Sequence, residues 1–180
     1  MNLHIISGSN RNNSQSSRIS NLISKECIDQ FNVSVDLLDL SKDEIPLWSE
    51  EGFGSFATRW KEISDSLNRS DCYIFVVPEW HGMAPPHLKN LILCSGSEIF
   101  FHKPALIITV SSGMGGTYPA AELRISSQKN SHICWIPEQV IIRNVNKWDI
   151  KNKDEIYERL IISIKVLLKY SESLKSIRSF

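Results

Sequence analysis

The chain has no apolar run near the roughly 18–20 residues that a membrane span needs. It has no net charge, with 20 Lys and Arg against 20 Asp and Glu. That balance argues against a general binder of nucleic acid or other polyanions. Its cysteines, Cys27, Cys72, Cys94 and Cys134, are scattered and form no C-x-x-C pair. They make neither a disulfide frame nor a zinc site, and they read as reduced thiols of a cytoplasmic protein. The five histidines are equally dispersed, so no metal is expected. The first residues carry no basic region and no cleavage-type apolar segment, so no secretory signal is expected. Neither a Walker G-K-[ST] nor a dinucleotide G-x-G-x-x-G occurs, and no repeat or low-complexity tract appears. What is there is an ordinary globular composition, 42% hydrophobic and 22% charged over 180 residues, enough for one domain spanning 1–180 with its own core.

Periodicity divides the chain into short apolar runs and amphipathic stretches. Residues 3–7 are too short for a helix and read as a buried strand. Ile19, Leu22, Ile23, Cys27 and Phe31 recur at helical spacing and predict a helix over residues 16–30. Residues 33–38 alternate as a second strand. Residues 41–54 form a loop punctuated by Pro46, Gly52 and Gly54. Phe56, Trp60, Ile63 and Leu67 mark a second helix, and residues 73–77 a third strand ended by Pro78. Pro85 and Pro86 open a third helix, with Leu88, Leu91 and Ile92 as its face. A fourth strand over 105–110, a weak helix over 118–130, a fifth strand over 139–145 and a last helix through Ile156, Leu160, Ile164, Leu167 and Leu168 complete the pass. Five strand–helix units predict an α/β fold: a three-layer, doubly wound, five-stranded parallel sheet with strand order 2-1-3-4-5.

In that order the loops after strands one, three and four meet at one sheet edge, where ligands of such folds bind. The first, G-S-N-R-N-N-S-Q-S-S, runs into a helix N-terminus. Free N–H groups and the helix dipole favour an anion there. Ser9, Ser14, Ser16 and Ser17 offer hydroxyls, and Arg11 a charge-assisted contact to a phosphate. The same residues also suit a solvated turn with a serine N-cap. The second loop, Pro78-Glu79-Trp80-His81-Gly82-Met83-Ala84-Pro85-Pro86, presents an aromatic surface at Trp80 and close backbone approach at Gly82. It also reads as a proline-stiffened helix cap. The third loop, Ser111 to Gly116, adds two hydroxyls and the glycines Gly113 and Gly116, or is a plain strand-to-helix turn.

Taken together these residues resemble the NAD(P)H-dependent FMN reductase family. Gly8-Ser9-Asn10-Arg11-Asn12-Asn13-Ser14 matches its G-S-x-R-x-x-S loop. Pro78 to Gly82, continuing through Pro85, Leu88, Lys89 and Asn90, is similar to its P-E-Y-N-G-x-x-P-x-x-L-K-N signature. The third loop looks like its S-x-G-x-G-G turn. The resemblance implies a flavodoxin-like fold and FMN as cofactor. It places the phosphate among Ser9, Arg11, Ser14, Ser16 and Ser17. The ring would lie along Pro78, Glu79, Trp80, His81 and Gly82, with Ser111, Gly113 and Gly116 closing the far side. It implies a homodimer or homotetramer, with Trp48 and Phe53 as candidates for a subunit contact or for ordinary loop packing.

The implied chemistry is hydride transfer from NADPH or NADH to FMN N5, then reduction of a small-molecule acceptor such as a quinone, flavin, azo or nitro compound. Two departures stand out: Trp80 and His81 occupy positions where the family has Tyr and Asn. Both bear on acceptor choice. His81, which titrates near neutral pH, is a possible proton donor or a rim residue, and Glu79 reads as a backbone-bonding carboxylate. Flavodoxin-type electron carriers share the fold but are typically acidic, unlike this chain. A catalytically silent FMN-binding relative is the other alternative. A phosphoacceptor receiver is excluded, because the third strand ends in Val77-Pro78 without a carboxylate.

Overall fold

In the computed structural model, which describes residues 1–179, five parallel strands form one sheet. They are β1 (Asn2–Ser7), β2 (Ser34–Asp39), β3 (Cys72–Pro78), β4 (Pro104–Val110) and β5 (Cys134–Ile142), in the order β2-β1-β3-β4-β5. That is the expected topology. The three inner strands are near-continuous apolar runs, as strands covered on both faces must be. Leu3 and Ile5 face one layer with Ile74, Val76, Leu106 and Ile108. Ile6 faces the other with Phe75, Val77 and Ile107. Helices α1 (Gln15–Phe31) and α5 (Glu155–Ser173) cover the first face through Ile19, Ile23, Leu160 and Ile164. Helices α2 (Ala57–Asn68), α3 (Pro86–Cys94) and α4 (Thr117–Ser126) cover the second through Ile63, Leu67, Leu88, Leu91 and Leu123. Burying each such side chain contributes roughly 1.5–3 kcal/mol. No helix among the described residues is long and apolar enough to cross a membrane.

Two boundaries differ from the sequence expectation. Strand β5 begins at Cys134, five residues before Gln139, and ends at Ile142. Its pairing with β4 jumps from Ala105↔Trp135 to Ile107↔Gln139. Pro137 lies inside the jump and has no N–H for the ladder. Arg124 answers the irregularity by donating to the carbonyls of Ile136 (2.8 Å) and Glu138 (3.0 Å). Helix α4 stops at Ser126, short of Asn130. The hydroxyls of Ser126 and Ser127 donate to the Glu122 and Leu123 carbonyls, and Asn130 and His132 then take left-handed backbone angles.

The ionisable side chains of His4 and Lys103 are buried under the second face. His4, 3% exposed, sets its Nδ1 3.2 Å from the Ser70 hydroxyl, and its Nε2 has no partner among the described residues. Burial lowers its pKa to about 4. Lys103 donates to the Asn68 carbonyl at 2.6 Å, and burial lowers its pKa to about 8.

Candidate active site

The loops after β1, β3 and β4 converge at the carboxyl ends of the inner strands and enclose a cleft of about 350 Å³, a normal size for a small-molecule site. Of the residues singled out from sequence, Ser9, Arg11, Ser14, Ser16, Pro78, Glu79 and Trp80 line it. Asn12, Asn13, Gln15, Val110, Ser112 and Val145 join them. Ser17, His81, Gly82, Ser111, Gly113 and Gly116 do not, and each has an identifiable task or position elsewhere.

The loop after β1 is held close to the sheet, and its Arg11 N–H bonds the Ser9 hydroxyl at 3.2 Å. The Gly8 N–H bonds the Val76 carbonyl at 2.9 Å. A Cβ on Gly8 would stand 3.1 Å from Leu88 Cδ2 and 3.2 Å from that carbonyl oxygen, so a larger residue would push the loop off α3. Ser14 caps α1, its Oγ accepting the Ser17 N–H at 3.0 Å. Ser17 turns its own hydroxyl to Asp39 at 2.6 Å, away from the cleft. By helix geometry the Gln15 and Ser16 N–H groups have no intrahelical partner. The Ser16 hydroxyl is buried and, among the described residues, also unpartnered, and no acidic residue lies in the first turn of α1. A buried donor without a partner is costly, so this corner is suited to an acceptor-rich anion. The Arg11 guanidinium stands over the Trp80 ring, 5.1 Å from its centroid.

The loop after β3 begins with a tight turn. Trp80 and Met83 exchange backbone hydrogen bonds of 3.0 and 2.9 Å. Between them His81 and Gly82 both have positive φ, 49° and 76°, as a two-residue hairpin turn of the I′ kind requires. His81 is therefore at a position that favours Asn, Gly or His for backbone reasons, and its side chain is exposed. Glu79 points to the next loop. Its carboxylate accepts the Gly116 N–H at the start of α4, and its Oε1 would lie 2.5 Å from a Cβ on Gly115. Gly116 itself has φ 106°, with the Cγ2 of Ile141 2.5 Å from where a Cβ would sit.

The loop after β4 is tied down throughout. Ser111 and Gly113 carbonyls accept the Val145 and Asn144 N–H groups at 3.0 Å each, and Arg143 Nε donates to the Met114 carbonyl at 2.7 Å. Arg18 was not anticipated. Its Nη2 donates to the Val145 carbonyl at 2.6 Å and its Nε to Gln15 Oε1 at 2.6 Å, joining α1 to the segment after β5.

The remainder of the second motif builds the frame. Asn90 accepts the Trp48 N–H at 2.9 Å and donates to the Pro46 carbonyl at 2.9 Å, fastening the 41–54 loop. Lys89 pairs with Glu122 at 2.7 Å, and Glu122 also accepts the Ala84 N–H at 2.7 Å. Burial pushes the Glu122 carboxyl upward, but Lys89 and the Ala84 N–H outweigh it and hold it below its ordinary value. Trp48 keeps an exposed ring, whereas Phe53 stacks on Trp60 with centroids 4.6 Å apart. Burial raises the Cys94 thiol to about 11, which leaves it a poor nucleophile. Among the described residues no three His, Cys, Asp or Glu side chains cluster as metal ligands would.

The family model described as NADPH-dependent FMN reductase matches residues 1–147. An NADPH azoreductase of Bacillus sp. (strain OY1-2) is 24% identical over 157 residues, covering 87% of both chains. A quinone reductase of Pseudomonas putida KT2440 is 32% identical over 82 residues, 43% of this chain and 44% of that one. Among solved structures, FerB of Paracoccus denitrificans, a flavoenzyme NAD(P)H:(acceptor) oxidoreductase, superposes with a TM-score of 0.72. That match has 17% identity over 96% of this chain and 97% of that one.

Proposed function

Since the chain belongs to the NADPH-dependent FMN reductase family, and is thus an NAD(P)H-dependent, FMN-using oxidoreductase, we propose that its cleft holds FMN with the phosphate in the loop after β1. One observation carries this assignment. The Ser16 hydroxyl is buried without a partner, at a helix N-terminus that has no acidic residue of its own. Ser9, Ser14, the Gln15 and Ser16 N–H groups and Arg11 surround the same corner. A group with several acceptor oxygens and up to two negative charges fits such a donor set.

When bound, FMN supplies the redox chemistry, taking a hydride from NADPH or NADH and passing electrons to a small-molecule acceptor. The protein's part is to hold and shield. Pro78, Glu79 and Trp80 form one wall and Ser112 with Val110 another. Glu79 keeps those walls in register through Gly116, so it is a positioning residue and not an acid or base. Gly82, Ser111, Gly113 and Gly116 shape the backbone behind the walls. His81 serves the turn. The named relatives, an azoreductase and a quinone reductase, support azo compounds and quinones as acceptors, with Trp80 at the wall in a place to select among them.

The same proposal includes a single flavin-binding domain, a cytoplasmic location consistent with four free thiols, and a homodimer or homotetramer. The functional test is reconstitution. Purified protein mixed with FMN and desalted should keep a flavin spectrum that bleaches anaerobically on adding NADPH or NADH. Protein that emerges colourless would sink the assignment.

A further inference from the structure

The cleft has a single cation in its lining among the described residues, Arg11. Among the described residues its guanidinium makes no ion pair and no hydrogen bond; it stands over the Trp80 ring, 5.1 Å from the ring centroid. The other basic groups nearby are committed: Arg18 to Val145 and Gln15, Arg143 to Met114, Lys89 to Glu122. Arg11 sits on an exposed loop among neutral neighbours, Asn10, Asn12 and Asn13. Such a side chain is normally mobile, and ordering it on binding costs affinity.

We propose that Trp80 is a specificity-determining residue for the phosphate of the flavin. It acts through Arg11, by ordering the guanidinium over the cleft before the ligand arrives. The proposal rests on FMN occupying this cleft. The chemistry permits both contacts at once. A guanidinium stacks through its flat face and donates through its edge, so a cation resting on Trp80 keeps its N–H fork free for a phosphate. Indole is the strongest of the aromatic partners for a cation, and the backbone that carries the ring is held by the two bonds of the Trp80–Met83 turn. Those bonds are main-chain, so a side-chain replacement at position 80 leaves the turn in place. Trp80 thereby links the phosphate loop to the loop after β3. Direct packing of Trp80 on a flavin ring would favour FMN and riboflavin alike, whereas ordering of Arg11 favours only the phosphorylated one.

The test measures dissociation constants of FMN and riboflavin by equilibrium dialysis for wild type, Trp80→Leu, Trp80→Phe, Arg11→Ala and Arg11→Ala/Trp80→Leu. The quantity read is the preference for FMN over riboflavin. Trp80→Leu should lower that preference about two- to fivefold, and Trp80→Phe should restore part of it. In the Arg11→Ala background Trp80→Leu should leave the preference unchanged. An unaltered preference in Trp80→Leu, or an equal fall with and without Arg11, would overturn the inference while leaving FMN binding intact. A rise in preference would overturn it too, showing that the stack competes with the phosphate. Wild-type protein that binds no FMN would instead remove the reading on which the inference stands.

Discussion

Arg11 and Arg18 lie on either side of one helix N-cap and do opposite things. Arg18 has its guanidinium bonded to Val145 and Gln15, whereas Arg11 has only an aromatic ring beneath it. The same contrast separates the loops they belong with. After β3 and β4, the backbone and side chains satisfy one another: Glu79 with Gly116, Trp80 with Met83, Arg143 with Met114. After β1, the Ser16 hydroxyl, the first helical N–H groups and the Arg11 fork are left open. Two of the loops close on themselves as a frame, and one keeps open donors, which is why we assign the ligand to it. Motif residues therefore divide into those that build the rigid edge and those with uncommitted donors.

The sharpest way to break this division is to damage the frame. Gly116→Val places a branched side chain at φ 106° against Ile141. Adding the left-handed penalty to overpacking gives a loss of roughly 4 kcal/mol, read from the chemical denaturation midpoint. A midpoint near wild type would mean that the loop after β4 is not the fixed wall described here.

Acid loosens the buried core beneath the sheet without touching the cleft. His4 is buried with its pKa lowered to about 4, so the folded state resists the proton that the unfolded chain takes up at about 6.5. Its contribution is fully present above pH 6.5 and is lost as pH falls toward 4, by about 3 kcal/mol in all. Denaturation from pH 7 to 4 should show this fall in wild type and lose it in His4→Phe. Parallel curves for the two proteins would contradict it.

On the receptor side, Arg11→Ala should weaken FMN binding by about 2 kcal/mol, the worth of a hydrogen bond to a charged group, with an unchanged thermal midpoint of the flavin-free protein. A drop in the midpoint would move Arg11 to the frame. The smallest effect is expected at His81. His81→Asn keeps a residue suited to positive φ, and stability and FMN affinity should both stay within about 0.5 kcal/mol. A large loss of turnover in that variant would return His81 to the chemistry.

Much of this was legible before the structure. The inner strands are apolar runs bounded by turn residues, and the helices on both faces show their period. The order of elements alone brings three loops to one edge. The failures have physical causes that span distance. The fifth strand expected from residue 139 begins at Cys134 with Pro137 inside it, and only the fold brings Arg124 to the carbonyls that the bulge releases. Arg11 and Arg18 are the same residue type in one tract, and the carbonyl that occupies Arg18 belongs to Val145, far along the chain. Ser17 sits among four candidate serines, yet Asp39 at the end of β2 takes its hydroxyl. His81 sits beside Gly82 in a turn, which the backbone angles explain and side-chain chemistry does not. Val145 enters the cleft through pairing between the segments after β4 and β5, which leaves no local mark.

The central claim is that the open donors after β1 hold the phosphate of FMN. Isothermal titration of the wild-type protein with FMN and, separately, with riboflavin tests it most directly, because the two differ only by that phosphate. The account predicts that FMN binds at least about tenfold more tightly, as one charge-assisted hydrogen bond of about 1.5–3 kcal/mol requires. Equal affinity for the two would contradict it.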